Sequence, residues 1–170
     1  MRLGAFEKIS GTNYLVAPLS SAQTQPLRLS ERQTIAIHNY LFVNVQDQSS
    51  RWLFPNHERL ILALELLADD GTEIQAGSFL KAVNWLVFTV VNSDTDADKR
   101  SDRKTIGVAE ADGSGYAEVM GGIETVFGKT GTTGDNLLVL HRSGGKNRIF
   151  QISLRDRKVT VMTEMAAIPW

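Results

Sequence analysis

One pattern occurs three times in this chain: an alternating apolar run, a polar turn of four or five residues that carries an Asp, and a second alternating run. Alternation with a period of two places successive side chains on opposite faces of a β-strand. Two such runs joined by a short polar turn are typical of a β-hairpin. The repeat therefore predicts an all-β protein built from antiparallel hairpins, at residues 41–54, 106–120 and 149–161, with turn aspartates Asp47, Asp112 and Asp156.

Further apolar runs extend each hairpin into a larger unit. Residues 85–91 precede the second hairpin and residues 137–141 precede the third, so each run supplies one more strand. Apolar residues that follow the first and second hairpins supply the first strand of the next unit, which brings the unit to four strands. The pattern predicts three four-stranded antiparallel units that form an incomplete β-propeller or an open barrel-like stack. We assign the whole chain, 1–170, to a single domain with units at residues 1–55, 56–120 and 121–170.

Residues 60–67 are compatible with two kinds of secondary structure. Leu, Ala and Glu are good helix formers, and Leu60, Leu64 and Leu67 would share one face of a helix. The position of this stretch within the repeat favours a strand, which is the interpretation we adopt. Residues 6–19 contain two short apolar runs around a Gly-Thr-Asn turn and predict another hairpin near the start of the chain.

Several of these local patterns resemble a known family. The turn at residues 111–115, the glycine pair at residues 121–122 between two units, and the closing stretch at residues 153–159 are similar to blades of TolB-like and WD40-like β-propeller proteins of bacterial cell envelopes. The resemblance is best over residues 82–165. It implies a bacterial protein of the cell envelope or periplasm, and it carries no catalytic residue over to this chain.

The number of units departs from that family and affects the expected partners. Known propeller rings have at least about four blades, so three units cannot close a ring. An open arrangement leaves sheet edges exposed, and such edges are normally covered, charged or paired with another chain. We therefore expect a protein partner, either a second copy in a homodimer or a foreign strand.

Composition excludes several classes of function. Eighteen Lys and Arg residues against nineteen Asp and Glu residues give a net charge of -1, so no overall field attracts nucleic acid. The absence of Cys excludes disulfides, cysteine-based zinc sites and a thiol nucleophile. No run approaches the roughly 18 apolar residues of a transmembrane helix, and the start lacks the pattern of a signal peptide. We expect no nucleic-acid partner, and no membrane span, signal or anchor in the given chain.

An acidic loop is the candidate metal site. Carboxylates at alternate positions bring hard oxygen ligands toward one point, as Ca²⁺ requires. The loop lacks the Gly and the Glu of an EF-hand, because Lys99 and Thr105 occupy those positions. Basic neighbours would also neutralise the acids without a metal, so a solvated, self-neutralised loop is the alternative. The candidate calcium ligands are Asp94, Asp96, Asp98 and Asp102.

Three other groups of residues have less specific interpretations. The Gly-rich run at residues 128–134 lacks the first Gly of a phosphate loop, since Ile123 occupies that position, and it predicts a loop between two strands. The histidines His38, His57 and His141 lack the close spacing of a helical zinc site. Five aromatic residues lie on predicted strands and are expected to pack between sheets: Trp52, Trp85, Phe88, Phe127 and Phe150.

The function predicted from these features is a non-enzymatic binding or scaffold module that acts through protein–protein interaction. Most of the sequence is predicted to form repeated β-strands. We find no combination of a nucleophile, a base and an oxyanion donor in it. The module needs no cofactor, although Ca²⁺ remains a candidate ligand. The alternative is a small metal-dependent hydrolase whose site lies on the inserted polar loops at residues 68–77 and 92–104, with the calcium loop at residues 94–102.

Overall fold

The structure is a computed structural model, and it describes residues 1–23, 34–75, 77–92, 103–132 and 134–166. Regular secondary structure in these residues is antiparallel β-strand, which confirms the predicted all-β class. The described residues include no helix that is long and apolar enough to cross a membrane. The strands are β1 (Arg2–Leu3), β2 (Glu7–Lys8), β3 (Tyr14–Gln23), β4 (Thr34–Asn44), β5 (Ser50–Trp52), β6 (Arg59–Leu67), β7 (Glu73–Ile74), β8 (Trp85–Asn92), β9 (Lys104–Glu110), β10 (Ala117–Ile123), β11 (Thr125–Thr132), β12 (Asn136–Ser143), β13 (Lys146–Ser153) and β14 (Lys158–Glu164).

The strands form two sheets. The large sheet has ten strands in the order β1-β3-β4-β6-β8-β9-β10, and the short strands β2, β5 and β7 pair with β3, β4 and β6. The small sheet is a four-stranded meander in the order β11-β12-β13-β14. As far as the described strands show, neither sheet closes on itself. A single residue, Glu124, separates β10 from β11, so the chain passes from one sheet to the other in one step.

The three predicted hairpins are confirmed as β4–β5, β9–β10 and β13–β14. The first two turns share one local chemistry. Asp47 accepts the backbone N–H of Ser49 at 2.9 Å, and Asp112 accepts that of Ser114 at 2.8 Å. Each acceptor–donor pair brackets a residue with positive φ, Gln48 at 61° and Gly113 at 78°. An Asp side chain that mimics a backbone acceptor in this way stabilises a tight turn.

The arrangement of three four-stranded propeller units is not confirmed. The small sheet corresponds to the predicted unit at residues 121–170, but the strands of units 1–55 and 56–120 belong together to the ten-stranded sheet. The reason is that β6 has ladder partners on both sides. It pairs with β4 through Ile37 and Ile61 and with β8 along most of its length, so the hydrogen-bond ladder continues across the predicted unit boundary.

Residues 60–67 lie in β6, which confirms the strand interpretation over the helix. The prediction of a loop at residues 128–134 is wrong, because residues 128–132 belong to β11. Glycine weakens a strand, but here β12 supplies a continuous ladder from Gly128 and Leu140 to Thr132 and Asn136. The ladder with the neighbouring strand outweighs the low strand propensity of this run.

The first core lies on one face of the large sheet. Its members come from distant strands of that sheet, including Val16 on β3, Phe42 on β4 and Phe88 on β8. The turn after β9 also contacts β4, since a Cβ at Gly113 would lie 2.5 Å from the Phe42 ring. Because β4 and β9 are three positions apart in the strand order, this contact requires the large sheet to curl around its own core.

The second core lies between the two sheets. On β8 the buried side chains alternate, with Leu86 and Phe88 in the first core and Trp85 and Val87 in the second. The small sheet covers the second core with apolar side chains that include Phe150. Strand β8 is therefore buried on both faces, which explains why its sequence is a continuous apolar run and lacks the alternation of the hairpins.

Candidate binding cleft

The turns of the three hairpins lie together in the folded chain. Arg51, beside the first turn, donates to the carbonyl oxygen of Asp112 in the second turn at 2.9 Å and lies 3.3 Å from its carboxylate. Arg157, in the third turn, is paired with Glu110 at the end of β9. The second turn thus has contacts with both of the others. The repeat that is visible in the sequence becomes a cluster of turns in space.

A cleft of about 550 Å³ opens beside this cluster. One wall consists of β5 and the segment after it, and the other consists of the second turn and the start of β10. The lining includes three aromatic side chains, two arginines and one glutamate, and Trp52 is 38% exposed. These aromatic and charged lining residues are Trp52, Phe54, Tyr116, Arg51, Arg59 and Glu118.

Arg59 is held in place before any ligand arrives. Its Nη1 lies 2.6 Å from Oε1 of Glu118, and its guanidinium carbon lies 4.9 Å from the centroid of the Phe54 ring. Phe54 in turn meets Tyr116 edge to face at 5.0 Å. A stacked and ion-paired guanidinium loses little further freedom when a partner binds. The cleft is therefore preorganised on this side.

A buried asparagine anchors the segment that carries Trp52. Oδ1 of Asn39 accepts the backbone N–H of Phe54 at 3.0 Å, and its Nδ2 donates to the carbonyls of Phe54 and Asn56 at 2.9 and 3.0 Å. The same Nδ2 lies 2.9 Å from Nδ1 of His57, whose ring meets Trp52 edge to face at 5.0 Å. Asn39 supplies hydrogen bonds where the chain leaves the sheet, so the backbone that follows Trp52 is held in one position.

Two ionisable groups in and beside the cleft have shifted pKa values. Burial opposes ionisation of Asp112, but hydrogen bonds from Ser114 and the charge of Arg51 hold the pKa of its carboxyl below its usual value. Burial, followed by the charge of Glu118, raises the pKa of Tyr116 to about 12. The acid partner of Arg51 therefore stays charged and Tyr116 stays neutral near pH 7. The hydroxyl oxygen of Tyr116 is buried.

The raised pKa values of two tyrosines predict that the protein loses stability at alkaline pH. The pKa values of Tyr40 and Tyr116 are both raised from 10.0 to about 12, mainly by burial. The folded state favours the neutral form of each tyrosine, and this preference contributes to the free energy of unfolding. The contribution is fully present below the pKa of the unfolded chain, and it is lost as the pH rises through the pKa of the folded protein. A shift of this size corresponds to roughly 2 kcal/mol for Tyr40.

We expect the melting temperature to fall steeply between pH 10 and about 12, measured by circular dichroism. The fall should be shallower in the Tyr40→Phe variant, which has no group to ionise at this position. An equally steep fall in wild type and variant would show that Tyr40 does not contribute.

The sequence-predicted calcium ligands Asp94, Asp96, Asp98 and Asp102 lie outside the described residues. Within the ranges that the structure describes, no group of three or more potential ligands is placed to hold a metal ion. The histidines are separate from one another, with His38 bonded to Ser21 at 2.7 Å, His57 beside Asn39, and His141 buried against Phe150. Burial lowers the pKa of His141.

The prediction that Trp52 packs between sheets is wrong, because its ring is exposed in the cleft. Trp85 and Phe150 are buried between the two sheets as predicted. Phe88 is buried in the first core, on one face of the large sheet. Trp52 and Phe127 are 38% and 55% exposed.

Alternation along a strand does not explain the exposure of Trp52, because Trp52 and Phe54 would share one face and Leu53 would lie on the other. Leu53 and Phe54 follow β5 and are both buried in the first core, whereas Trp52, the last residue of β5, is exposed. The run at residues 52–54 therefore contains no local signal for the exposed ring.

A second, polar cleft lies between the sheets and involves the Gly-rich run of β11. Its volume is about 420 Å³, and the turn between β6 and β7 forms one side. Nζ of Lys129 lies 2.6 Å from Oε1 of Glu65 and donates to Oγ1 of Thr89 at 2.7 Å. The lysine that the sequence places in a motif similar to a phosphate loop is therefore engaged by a carboxylate of the large sheet.

The segments that resemble TolB-like and WD40-like propellers occupy local positions in this fold. Residues 111–115 form the turn of the β9–β10 hairpin, residues 121–122 lie at an irregular part of β10, and residues 153–159 form the turn of the β13–β14 hairpin. Turns of this kind are common to antiparallel hairpins. Comparisons of the chain with family models, curated proteins and solved structures give no match.

Proposed function

We propose that this protein is a non-enzymatic binding module that acts through protein–protein interaction, and that the cleft around Trp52 is its binding surface. The observation that supports this proposal is the composition of the open cleft. Trp, Tyr and Arg are the residues that carry most of the binding energy at protein interfaces, and here they line one concavity.

The charges of the cleft define the kind of partner. Arg51 and Arg59 are already paired with Asp112 and Glu118, so the cleft offers no large net charge to a ligand. The exposed ring of Trp52 offers apolar surface, and the paired arginines supply a polar rim. An extended peptide with an apolar or proline side chain for Trp52 fits this arrangement, since aromatic clefts bind such segments in other recognition modules.

The exposed sheet edge makes a second copy of the chain another candidate partner. Strand β14 is an edge strand that pairs only with β13 among the described strands, and its Val161 and Met162 are 52% and 46% exposed. The β13–β14 ladder contains a register shift, which makes the edge less regular. Strand β14 also begins and ends with a charged residue, Lys158 and Glu164. Such features limit open-ended strand pairing.

The peptide proposal is tested by selection from a random peptide library displayed on phage, followed by calorimetric titration of the selected peptides. Trp52→Ala is expected to weaken binding about tenfold or more, because truncation of an interface tryptophan removes a large apolar contact. The matched control is Phe127→Ala, which removes an exposed aromatic ring from the small sheet and should leave affinity unchanged.

Two outcomes would contradict the proposal: failure to select any peptide, or equal affinity of the selected peptides for wild type and Trp52→Ala. The solution mass is measured first by light scattering, so that self-association through β14 is not mistaken for peptide binding.

A further inference from the structure

A third cleft opens in the large sheet where β4 separates from β6. The two strands share one ladder pair, Ile37 with Ile61, and beyond it β4 pairs with β5. The gap has a volume of about 460 Å³, with β3 on one side and β7 on the other. Small-molecule sites usually enclose about 300–1,000 Å³, so the gap is large enough for a small ligand.

The walls of this cleft are mainly apolar. Ile37, Leu64 and Leu66 pack against the first core but are only partly buried, because the cleft leaves one side of each uncovered. Val16 and Tyr40 contribute further apolar surface from β3 and β4. Removing such surface from water is favourable, so an apolar group that enters the cleft gains free energy.

The charged side chains of the cleft are both acidic. Glu7 reaches it from β2 and Glu73 from β7, while no Lys or Arg belongs to the lining. Neither Glu7 nor Glu73 forms an ion pair or a side-chain hydrogen bond with another residue that the structure describes. The charge of Glu7 acts on the cleft itself, since it adds to burial in raising the pKa of Tyr40 to about 12.

We propose that the cleft bounded by Glu7 and Glu73 is a second binding site, for a small amphiphile that joins an apolar chain to a protonated amine. The apolar chain would contact Ile37, Leu64 and Leu66, and the ammonium group would lie at the acidic rim. The choice of a cation follows from charge complementarity: two carboxylates in a lining that contains no Lys or Arg favour a positive ligand and disfavour a carboxylate. The site shares none of its residues with the Trp52 cleft.

The test is a titration of the full chain with octylammonium and, separately, with octanoate, below the concentrations at which either forms micelles. The two probes have the same chain length and opposite charge. We expect octylammonium to bind about tenfold more tightly than octanoate, because like charges at the rim repel the latter. Chemical shift changes should appear at the methyl groups of Ile37 and Leu64, and not at Leu80, which is 93% exposed elsewhere.

Variants separate a site from general attraction to the surface. Glu7→Gln combined with Glu73→Gln should weaken octylammonium binding about fivefold, as expected for the loss of two exposed ion pairs. Glu164→Gln, on β14, is the matched control and should have no effect, and Trp52→Ala should also leave this affinity unchanged. Equal binding of both probes, or unchanged affinity in the Glu7/Glu73 double variant, would overturn the proposal.

Discussion

Gly131→Ala is expected to lower the free energy of unfolding by about 3 kcal/mol, because the new methyl group would overlap backbone atoms. Gly131 lies on β11 and faces the turn between β6 and β7. A Cβ added at Gly131 would overlap the carbonyl group of Gly71, and a Cβ at Gly71 would lie 2.7 Å from Cα of Gly131. An alanine methyl group has no rotamer that avoids these backbone atoms, so the turn and the strand would have to move apart.

Gly128→Ala is the control for this variant. Gly128 lies on the same strand, and a Cβ added there meets no atom within 4 Å. Its unfolding free energy should stay within roughly 0.5 kcal/mol of wild type, as for an ordinary surface substitution. Urea denaturation of the two variants measures the difference. Equal stability of the two variants would contradict the close approach of β11 to the β6–β7 turn.

Lys129→Met is expected to destabilise the fold by about 3 kcal/mol, because it leaves a mostly buried carboxylate without its counter-charge. The side chains of Lys129 and Glu65 are only 11% and 20% exposed, and their ion pair links β11 of the small sheet to β6 of the large sheet. The other oxygen of this carboxylate, Oε2, is buried and has no hydrogen-bond partner among the described residues. The lysine is thus the main compensation for this charge.

The double variant Glu65→Gln with Lys129→Met should recover most of the stability that Lys129→Met loses, since no unpaired charge remains. Lys146→Met is the matched surface control. It breaks the Lys146–Glu164 pair, whose side chains are 56% and 55% exposed, and should cost less than about 1 kcal/mol. If Lys129→Met were no more destabilising than Lys146→Met, the ion pair would not hold the sheets together.

Both predictions concern the run at residues 128–132, whose sequence superficially suggests phosphate binding. In the structure, Gly131 permits the close approach of a backbone turn, and Lys129 compensates a carboxylate of the other sheet. These residues contribute to the contact between sheets. Their chemistry depends on Glu65 and Gly71, which lie more than fifty positions earlier in the chain, so no local motif could reveal it.

The cleft around Trp52 also depends on residues that are distant in the sequence. The hairpin pattern at residues 51–54 predicts that Trp52 packs between sheets, but its ring is exposed. Exposure of Trp52 depends on Asn39, which redirects the chain after β5, and on the second turn, which forms the opposite wall. Asn39 and the second turn both lie outside the run at residues 41–54, so the alternation of that run could not show which side of Trp52 remains uncovered.

The local residue pattern specifies the antiparallel hairpins and their turns. These features are local: a period of two sets the faces of a strand, and the Asp-x-Ser turns at Asp47 and Asp112 form their own hydrogen bonds. Long-range strand pairing specifies which hairpins share a sheet. Alternation specifies the face of each side chain but not the neighbour of each strand, so only the pairing of β6 on both sides joined two predicted units into one sheet.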